Sequence, residues 1–226
     1  MDINFLRENA ALYAEAAYLT ASIALAGIVI ACITGFVCCI IRVFRIPILK
    51  QIVSGYIELS RNTPLLIQLF FLYFGLPKIG IVLSGELCAL VGISFLGGGY
   101  MAEAFRAGIE AVNEGQIKAG LSLGMKPVQI FFHIVLPQAF TTSVPVLCAN
   151  MIFLVKETSV FSAVAVTDLV FVAKDLIGIS YQTDEALLML VMSYMILLLP
   201  VSLICSWAER RVRYAEFGNT STVYGN

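Results

Sequence analysis

The chain has 226 residues, of which 60% are hydrophobic and 13% are charged, and its mean hydropathy is +0.92. Because a soluble domain typically carries about 25% charged residues, this composition excludes an ordinary soluble domain and predicts a protein that uses lipid as its solvent. The formal net charge of −1 argues against a nucleic-acid partner, which would require a basic surface.

Five apolar segments are long enough, or nearly so, to cross about 30 Å of hydrocarbon as helices. Since backbone groups in lipid must bond internally, we expect an all-α membrane protein in which residues 1–226 form a single transmembrane domain. The second segment is the weakest, because its uninterrupted apolar part covers only 64–76. In chain order the predicted transmembrane helices are 16–41, 57–76, 83–105, 135–155 and 187–207.

The distribution of basic residues predicts the orientation of the chain, because short cytoplasmic loops are enriched in Lys and Arg. With the N-terminus outside, the inner segments hold ten basic residues and the outer segments hold four. We therefore expect the C-terminus and the loop 109–135 in the cytoplasm, and the loop 156–185 outside. The inner basic residues are Arg42, Arg45, Lys50, Arg61, Arg106, Lys118, Lys126, Arg210, Arg211 and Arg213, and the outer ones are Arg7, Lys78, Lys156 and Lys174.

The loop 109–135 carries its own helix signals. Asn113 can cap a helix, and Gln116 lies three residues further on, where its side chain can reach back to the capping residue. Gly124 is the usual left-handed terminator of a helix, and Pro127 suits the first turn of a second one. The sequence therefore predicts two short helices in this loop, whereas the polar tail 217–226 is predicted to be flexible.

The sequence contains no pattern that indicates catalysis or a metal site. The run Gly97-Gly98-Gly99 is not followed by Gly-Lys-Ser/Thr, so it is not a phosphate-binding loop. The six cysteines lie in or beside apolar segments without the spacing of metal ligands. We therefore predict that this chain is not an enzyme and that it holds no metal and no cofactor of its own.

The loop 109–135 resembles the cytoplasmic signature, or EAA motif, of permease subunits of binding-protein-dependent ABC importers. That signature is Glu-Ala-Ala, three residues, Gly, nine residues, Ile, one residue and Leu-Pro. Here the matching residues, in register, are Lys118-Ala119-Gly120, Gly124, Ile134 and Leu136-Pro137. Further segments resemble the polar amino acid branch of that family, namely Arg61-Asn62-Thr63-Pro64-Leu65-Leu66, Tyr100-x-Ala102-Glu103-x-x-Arg106-x-Gly108-Ile109, Gly115-Gln116, Leu136-Pro137-Gln138-Ala139 and Lys156-Glu157-Thr158-Ser159.

The resemblance implies a type I ABC importer permease fold, of the MetI-like kind, with five transmembrane helices in a bacterial plasma (inner) membrane. It implies cytoplasmic ATPase subunits that use ATP and Mg²⁺, an extracellular or periplasmic amino acid-binding protein, and a second permease, either a copy of this chain or a homologue. The loop 109–135 is then a coupling loop, which contacts the ATPase. The residues assigned to this coupling are Gly115, Gln116, Lys118, Ala119, Gly120, Gly124, Met125, Leu136 and Pro137.

Two residues depart from the family signature. Lys118 stands where the signature has Glu, and Gly120 stands where it has the second Ala. The lysine reverses the charge that is offered to the ATPase. Three hypotheses follow: the ATPase groove has a compensating acid, Glu114 supplies the contact instead, or a sister subunit carries the standard sequence.

Polar residues within the apolar segments are costly and indicate a transport path. We expect Lys156 or Arg61 to bind the carboxylate of an amino acid, and Glu58 or Glu157 to bind its ammonium group. Structural roles are the alternative: hydrogen bonds between helices for Gln68 and Asn150, and an ion pair between Glu58 and Arg61 at i, i+3. The predicted path residues are Glu58, Arg61, Asn62, Gln68, Asn150, Lys156 and Glu157.

Three other functions are compatible with a chain of this composition. The first is a permease of the same family for a different small solute. The second is an ion-coupled carrier or channel that acts alone, which would require paired carboxylates deep in the helices and no capped cytoplasmic loop. The third is an intramembrane enzyme, for which the sequence offers no catalytic set.

Overall fold

The computed structural model describes residues 3–217, which form helices joined by short turns and contain no strand. Irregular helical turns continue three of the helices: Phe71–Gly75 and Leu76–Ile79 follow α3, Phe131–Val135 joins α6 to α7, and Thr158–Val164 follows α7. The helices are α1 Ile3–Val43, α2 Leu49–Asn62, α3 Leu65–Phe70, α4 Gly85–Glu110, α5 Glu114–Ser122, α6 Pro127–Ile130, α7 Leu136–Glu157, α8 Leu169–Ser180 and α9 Thr183–Phe217.

Four helical stretches are long and apolar enough to cross a membrane, and a fifth is shorter. The four are Ile3–Val43, Gly85–Glu110, Pro127–Val164 and Thr183–Val212, and the short apolar stretch is Leu65–Ile79. This arrangement agrees with five transmembrane helices, although the second is not one continuous helix over 57–76.

Pro64 divides the second predicted transmembrane helix into α2 and α3. Proline lacks a backbone N–H and pushes the preceding residue out of the helical region, and Thr63 is accordingly extended, with φ −115° and ψ 125°. The Gln68 amide donates hydrogen bonds to the carbonyl oxygens of Ser60, at 3.1 Å, and Thr63, at 3.0 Å. These bonds satisfy carbonyl groups at the break, which could not remain unpaired in a membrane.

Helix α4 lies at the centre, in close contact with α1 and α7. Gly97 faces Ala31 of α1 on one side and Leu154 of α7 on the other, and a Cβ at Gly97 would overlap both side chains. Ala31 and Leu154 are fully buried. Small residues let membrane helices approach closely and gain dispersion contacts, so these positions determine how near the three helices come.

A second close crossing joins α4 to α7 where the two helices enter the coupling loop. A Cβ at Gly108 would overlap the Ser143 hydroxyl and the Ala139 carbonyl oxygen. The Thr142 hydroxyl donates a hydrogen bond to the Gly108 carbonyl oxygen at 3.1 Å. Both helices that flank the coupling loop are therefore packed against each other at its base.

The segment 156–185, expected as an outer loop, contains the helical turn Thr158–Val164 and the helix α8. Helix α8 packs against the first turns of α1 and of α9, where the Tyr13 hydroxyl donates a hydrogen bond to the Ala186 carbonyl oxygen at 2.8 Å. The tail that was predicted to be flexible lies, beyond Phe217, outside the described residues.

Asp168 is the N-cap residue of α8 and is fully buried. Its Oδ1 accepts a hydrogen bond from the backbone N–H of Phe171 at 2.9 Å, while Oδ2 has no hydrogen-bond partner among the described residues. Burial raises the pKa of Asp168 from 3.8 to about 6, although backbone hydrogen bonds and the charge of Lys174 oppose this effect. The folded protein therefore keeps the Asp168 proton to a higher pH than an exposed aspartate does.

We expect Gly108→Ala to destabilise the fold by about 1–3 kcal/mol, because the added methyl group overfills the crossing of α4 and α7. The measurement is the thermal unfolding midpoint of the purified protein in detergent. Gly55→Ala is the matched control, since a Cβ at Gly55 of α2 meets no atom within 4 Å. Equal midpoints for the two variants would show that the crossing is not tightly packed.

The stability of the wild-type protein should fall as the pH rises from 3.8 to about 6, because the folded state binds the Asp168 proton more tightly than the unfolded state does. Asp168→Asn resembles the protonated side chain and should remove this dependence. The unfolding midpoint of this variant should exceed that of the wild type at pH 7, and the two midpoints should converge as the pH falls towards 3.8. Asp175→Asn, an exposed position on the same helix, is the control and should not show this pH-dependent difference.

Candidate functional site

The coupling loop folds into the two short helices that its sequence predicts. The Asn113 side chain caps α5 by accepting a hydrogen bond from the backbone N–H of Gly115 at 2.7 Å. Gly124 has φ 76°, in the left-handed region, and ends α5 as expected. Pro127 occupies the first turn of α6. Both helix boundaries thus follow from local backbone chemistry.

One face of α5 packs against the start of the next long helical stretch. Gly120 is buried against Ile130 and Ile134, and a Cβ at this position would lie 3.1–3.2 Å from their side chains. The Gln116 side chain accepts a hydrogen bond from the Gln138 amide of α7. It thereby links α5 to α7, a contact different from the predicted return to Asn113. Met125 packs into the apolar cluster that contains Ile130 and Ile134, so α5 is in contact with the segment that leads into α7.

The opposite face of α5 is open to solvent. Gly115, Lys118 and Ala119 are exposed, and Lys118 forms an ion pair of 3.2 Å with Glu114 one turn earlier. The two side chains are 74% and 83% exposed, and exposed pairs of this kind contribute only about 0.3–0.5 kcal/mol. Both charges therefore remain available to another protein. At the end of the helix, Leu123 is 82% exposed.

Leu136 and Pro137 begin α7, directly after the helical turn that follows α6. Leu136 is half-buried in the apolar cluster beneath α5, whereas Pro137 is exposed. Proline is tolerated in a first helical turn because its missing N–H has no partner there. The signature residues from Gly115 to Pro137 are thus one continuous structural unit.

A cavity of about 330 Å³ lies between the α2–α3 break, α4 and α7. Three predicted path residues, Arg61, Asn62 and Glu157, line this cavity together with Tyr100. The Arg61 guanidinium lies over the Tyr100 ring, 5.4 Å from its centroid, at a separation typical of a cation–π interaction. The cavity wall therefore offers one cationic and one anionic group from separate helical segments.

The other four predicted path residues do not line this cavity. The Asn150 amide donates a hydrogen bond to the Tyr100 carbonyl oxygen at 3.2 Å, and so it joins α7 to α4. Gln68 bonds to the carbonyl oxygens at the α2–α3 break. Glu58 and Lys156 are exposed on their helices. Their role in transport remains a prediction.

The structure also reveals an ion-pair cluster centred on Glu103, which the sequence analysis missed. Its carboxylate accepts hydrogen bonds from Arg42 of α1 and from Arg106 of α4, and lies 3.8 Å from Arg61. A further pair joins Arg106 to Glu110. The i, i+3 spacing of Glu103 and Arg106 was visible in the sequence, but the arrival of Arg42 and Arg61 depends on how the helices pack.

Residues 23–214 match the protein family described as the inner membrane component of binding-protein-dependent transport systems. Among curated relatives, the probable glutamine ABC transporter permease protein GlnM of Bacillus subtilis (strain 168) is 32% identical over 215 residues, which cover 94% of this chain and 98% of the relative. The L-cystine transport system permease protein TcyB of the same organism is 31% identical over 198 residues, covering 86% of this chain and 84% of the relative.

Solved structures show the same fold. The crystal structure of an amino acid ABC transporter with histidines has a chain that is 28% identical, with a TM-score of 0.88 and coverage of 93% of this chain and 99% of that one. The MetNI methionine ABC transporter in an inward-facing conformation has a TM-score of 0.72 at 21% identity, covering 94% and 99%. The latter similarity concerns the fold alone and confirms the predicted MetI-like permease fold. With a family match over most of its length, the chain belongs to the inner membrane components of binding-protein-dependent transport systems.

Proposed function

We propose that this chain is the permease subunit of an ATP-driven importer of polar amino acids. The observation that carries the proposal is a single helical stretch, Pro127–Val164, which packs against α5 near its start and lines the cavity near its end. The relatives named for glutamine and cystine support the choice of cargo. A chain of this kind transmits work and leaves ATP hydrolysis to a partner.

The two ends of the Pro127–Val164 stretch, one beside α5 and one beside the cavity, indicate the partners. Cytoplasmic ATPase subunits, which use ATP and Mg²⁺, bind the exposed face of α5. An amino acid-binding protein delivers cargo from the other side, and a second permease, either a copy or a homologue, completes the transport path. Apart from Arg61, which lines the cavity, nine basic residues on one side and four on the other support an outer N-terminus and a cytoplasmic C-terminus in the bacterial plasma membrane.

Coupling depends on the stiffness of the connection between α5 and α7. When the ATPase moves α5, the buried Gly120 contact and the Gln116–Gln138 hydrogen bond carry that motion into α7. The Gly108 crossing keeps α4 and α7 together at the base of the loop. Nucleotide binding can shift the equilibrium between the inward- and outward-open states only if the ATPase, with nucleotide bound, contacts one of these states more favourably than the other.

The cavity between α2, α4 and α7 is the proposed amino acid site. Arg61 binds the α-carboxylate, because a guanidinium matches the two carboxylate oxygens geometrically. Glu157 binds the ammonium group. Both residues belong to the pairs that the sequence nominated for these roles, and their side chains line one cavity.

The proposal is tested by reconstitution. The chain should copurify with an ATPase subunit, and vesicles that contain the complex should take up a polar amino acid only with ATP and a binding protein. ATP-independent uptake by the chain alone would instead support a carrier, and uptake of a different solute would retain the family but change the cargo.

We expect Lys118→Glu to weaken binding of the ATPase, because the new carboxylate would repel a compensating acid in the ATPase groove. It would also place two like charges at i, i+4 with Glu114. The measurement is the fraction of ATPase that copurifies with the permease. Lys50→Glu is the control, since it makes the same charge change at another exposed position. An acid-to-lysine change in the ATPase should restore binding; failure of every such pair would contradict direct charge pairing at Lys118.

Arg61→Ala and Glu157→Gln should each weaken amino acid binding by about 10- to 100-fold, since each removes a charge-assisted hydrogen bond of about 1.5–3 kcal/mol. Uptake at low substrate concentration should fall accordingly, while copurification with the ATPase stays unchanged. Glu86→Gln, at an exposed position outside the cavity, is the matched control. If all three variants transport equally well, the cavity is not the binding site.

A further inference from the structure

We infer that the cavity between α2, α4 and α7 selects amino acids whose side chains are polar but uncharged. The inference rests on the proposed function and goes beyond it by naming the class of cargo.

The charges that line the cavity are balanced. Among the described residues, the lining contains one cation, Arg61, and one carboxylate, Glu157. The remaining polar lining residues, Asn62, Thr63 and Tyr100, are neutral. The apolar part of the lining consists of Pro64, Leu65, Leu66, Leu96, Phe153 and Val160.

Both charges are available to a ligand. Within the described part of the chain, the structure shows no ion pair or hydrogen bond for the Glu157 side chain. Arg61 lies 3.8 Å from Glu103, but that carboxylate already accepts hydrogen bonds from Arg42 and Arg106. Glu103 therefore does not require the charge of Arg61, and the guanidinium can bind an anion in the cavity without leaving a carboxylate unpaired.

A zwitterion uses both of these groups. Once its carboxylate is paired with Arg61 and its ammonium group with Glu157, a third charge on the ligand would find no counter-charge in the lining. The cavity is open on one side, and a charge that loses part of its water there without gaining a partner costs more free energy than a polar group that can form hydrogen bonds. An amide or hydroxyl side chain can instead bond to Asn62, Thr63 or the Tyr100 hydroxyl.

Other charged side chains near the cavity do not change this balance. Glu58 and Lys156 are close in sequence to lining residues, but neither belongs to the lining. Glu103 lies 3.8 Å from Arg61, but it is also outside the lining, and its carboxylate is paired with Arg42 and Arg106. The volume of about 330 Å³ lies at the lower end of the range for small-molecule sites, about 300–1,000 Å³. It therefore fits a single small solute.

The experiment measures the selectivity of the permease itself. The purified permease–ATPase complex, without a binding protein, is titrated with radiolabelled glutamine, arginine and glutamate. We expect glutamine to bind at least about tenfold more tightly than either charged amino acid, a ratio that one unpaired charge is sufficient to produce.

Asn62→Asp provides the sharper test, because it adds a second carboxylate to the lining. The ratio of arginine to glutamine affinity should rise by about tenfold, through one new charge-assisted hydrogen bond. Gln51→Glu adds the same charge at an exposed position of α2 and should leave the ratio unchanged. Glu157→Gln is an independent second variant, and it should raise the ratio of glutamate to glutamine affinity.

The possible outcomes separate this inference from the proposed function. Preference of the wild-type complex for arginine or glutamate would overturn the inference and leave an amino acid permease. Unchanged ratios in both cavity variants would overturn the assignment of selectivity to this cavity. Binding of none of the three amino acids by a folded, ATP-hydrolysing complex would overturn the proposed cargo, and with it the inference.

Discussion

Helix α4 can touch α1 and α7 at the same time only because small residues occupy both crossings. At Gly97 the neighbouring helices approach so closely that even a methyl group would overlap Ala31 and Leu154. In lipid, where water does not drive helices together, this tight packing is the main source of association. The positions of the cavity and of the coupling loop both follow from it, since α4 and α7 contribute to each.

The coupling loop is packed on one face and open on the other. Its inner face is held by Gly120 packing and by the Gln116–Gln138 hydrogen bond, whereas its outer face presents Lys118 and Leu123 to solvent. The Glu103 carboxylate joins α1 to α4 by accepting hydrogen bonds from Arg42 and Arg106.

The break at Pro64 has a structural consequence beyond the shortening of a transmembrane helix. In an uninterrupted helix the backbone groups would be bonded within the helix, and only side chains could line a cavity. The extended backbone at Thr63 interrupts the helix, and Thr63 lines the cavity beside α4 and α7. Irregular backbone at membrane depth is tolerated where it lines a cavity. The Gln68 side chain of α3 donates hydrogen bonds to the carbonyl oxygens of Ser60 and Thr63, which precede the break.

The sequence alone determined the features that depend on local backbone chemistry or on average hydropathy. These include the all-α class, the apolar segments, the Asn113 cap and the Gly124 stop, because each arises from residues a few positions apart. The sequence also nominated Arg61, Asn62 and Glu157, but only as members of a larger set. Tertiary structure alone decided that these three share a cavity, that Gln116 pairs with Gln138, and that Glu103 collects three arginines. Such contacts join residues far apart in the chain, and they are set by how closely the helices pack, which no local pattern specifies.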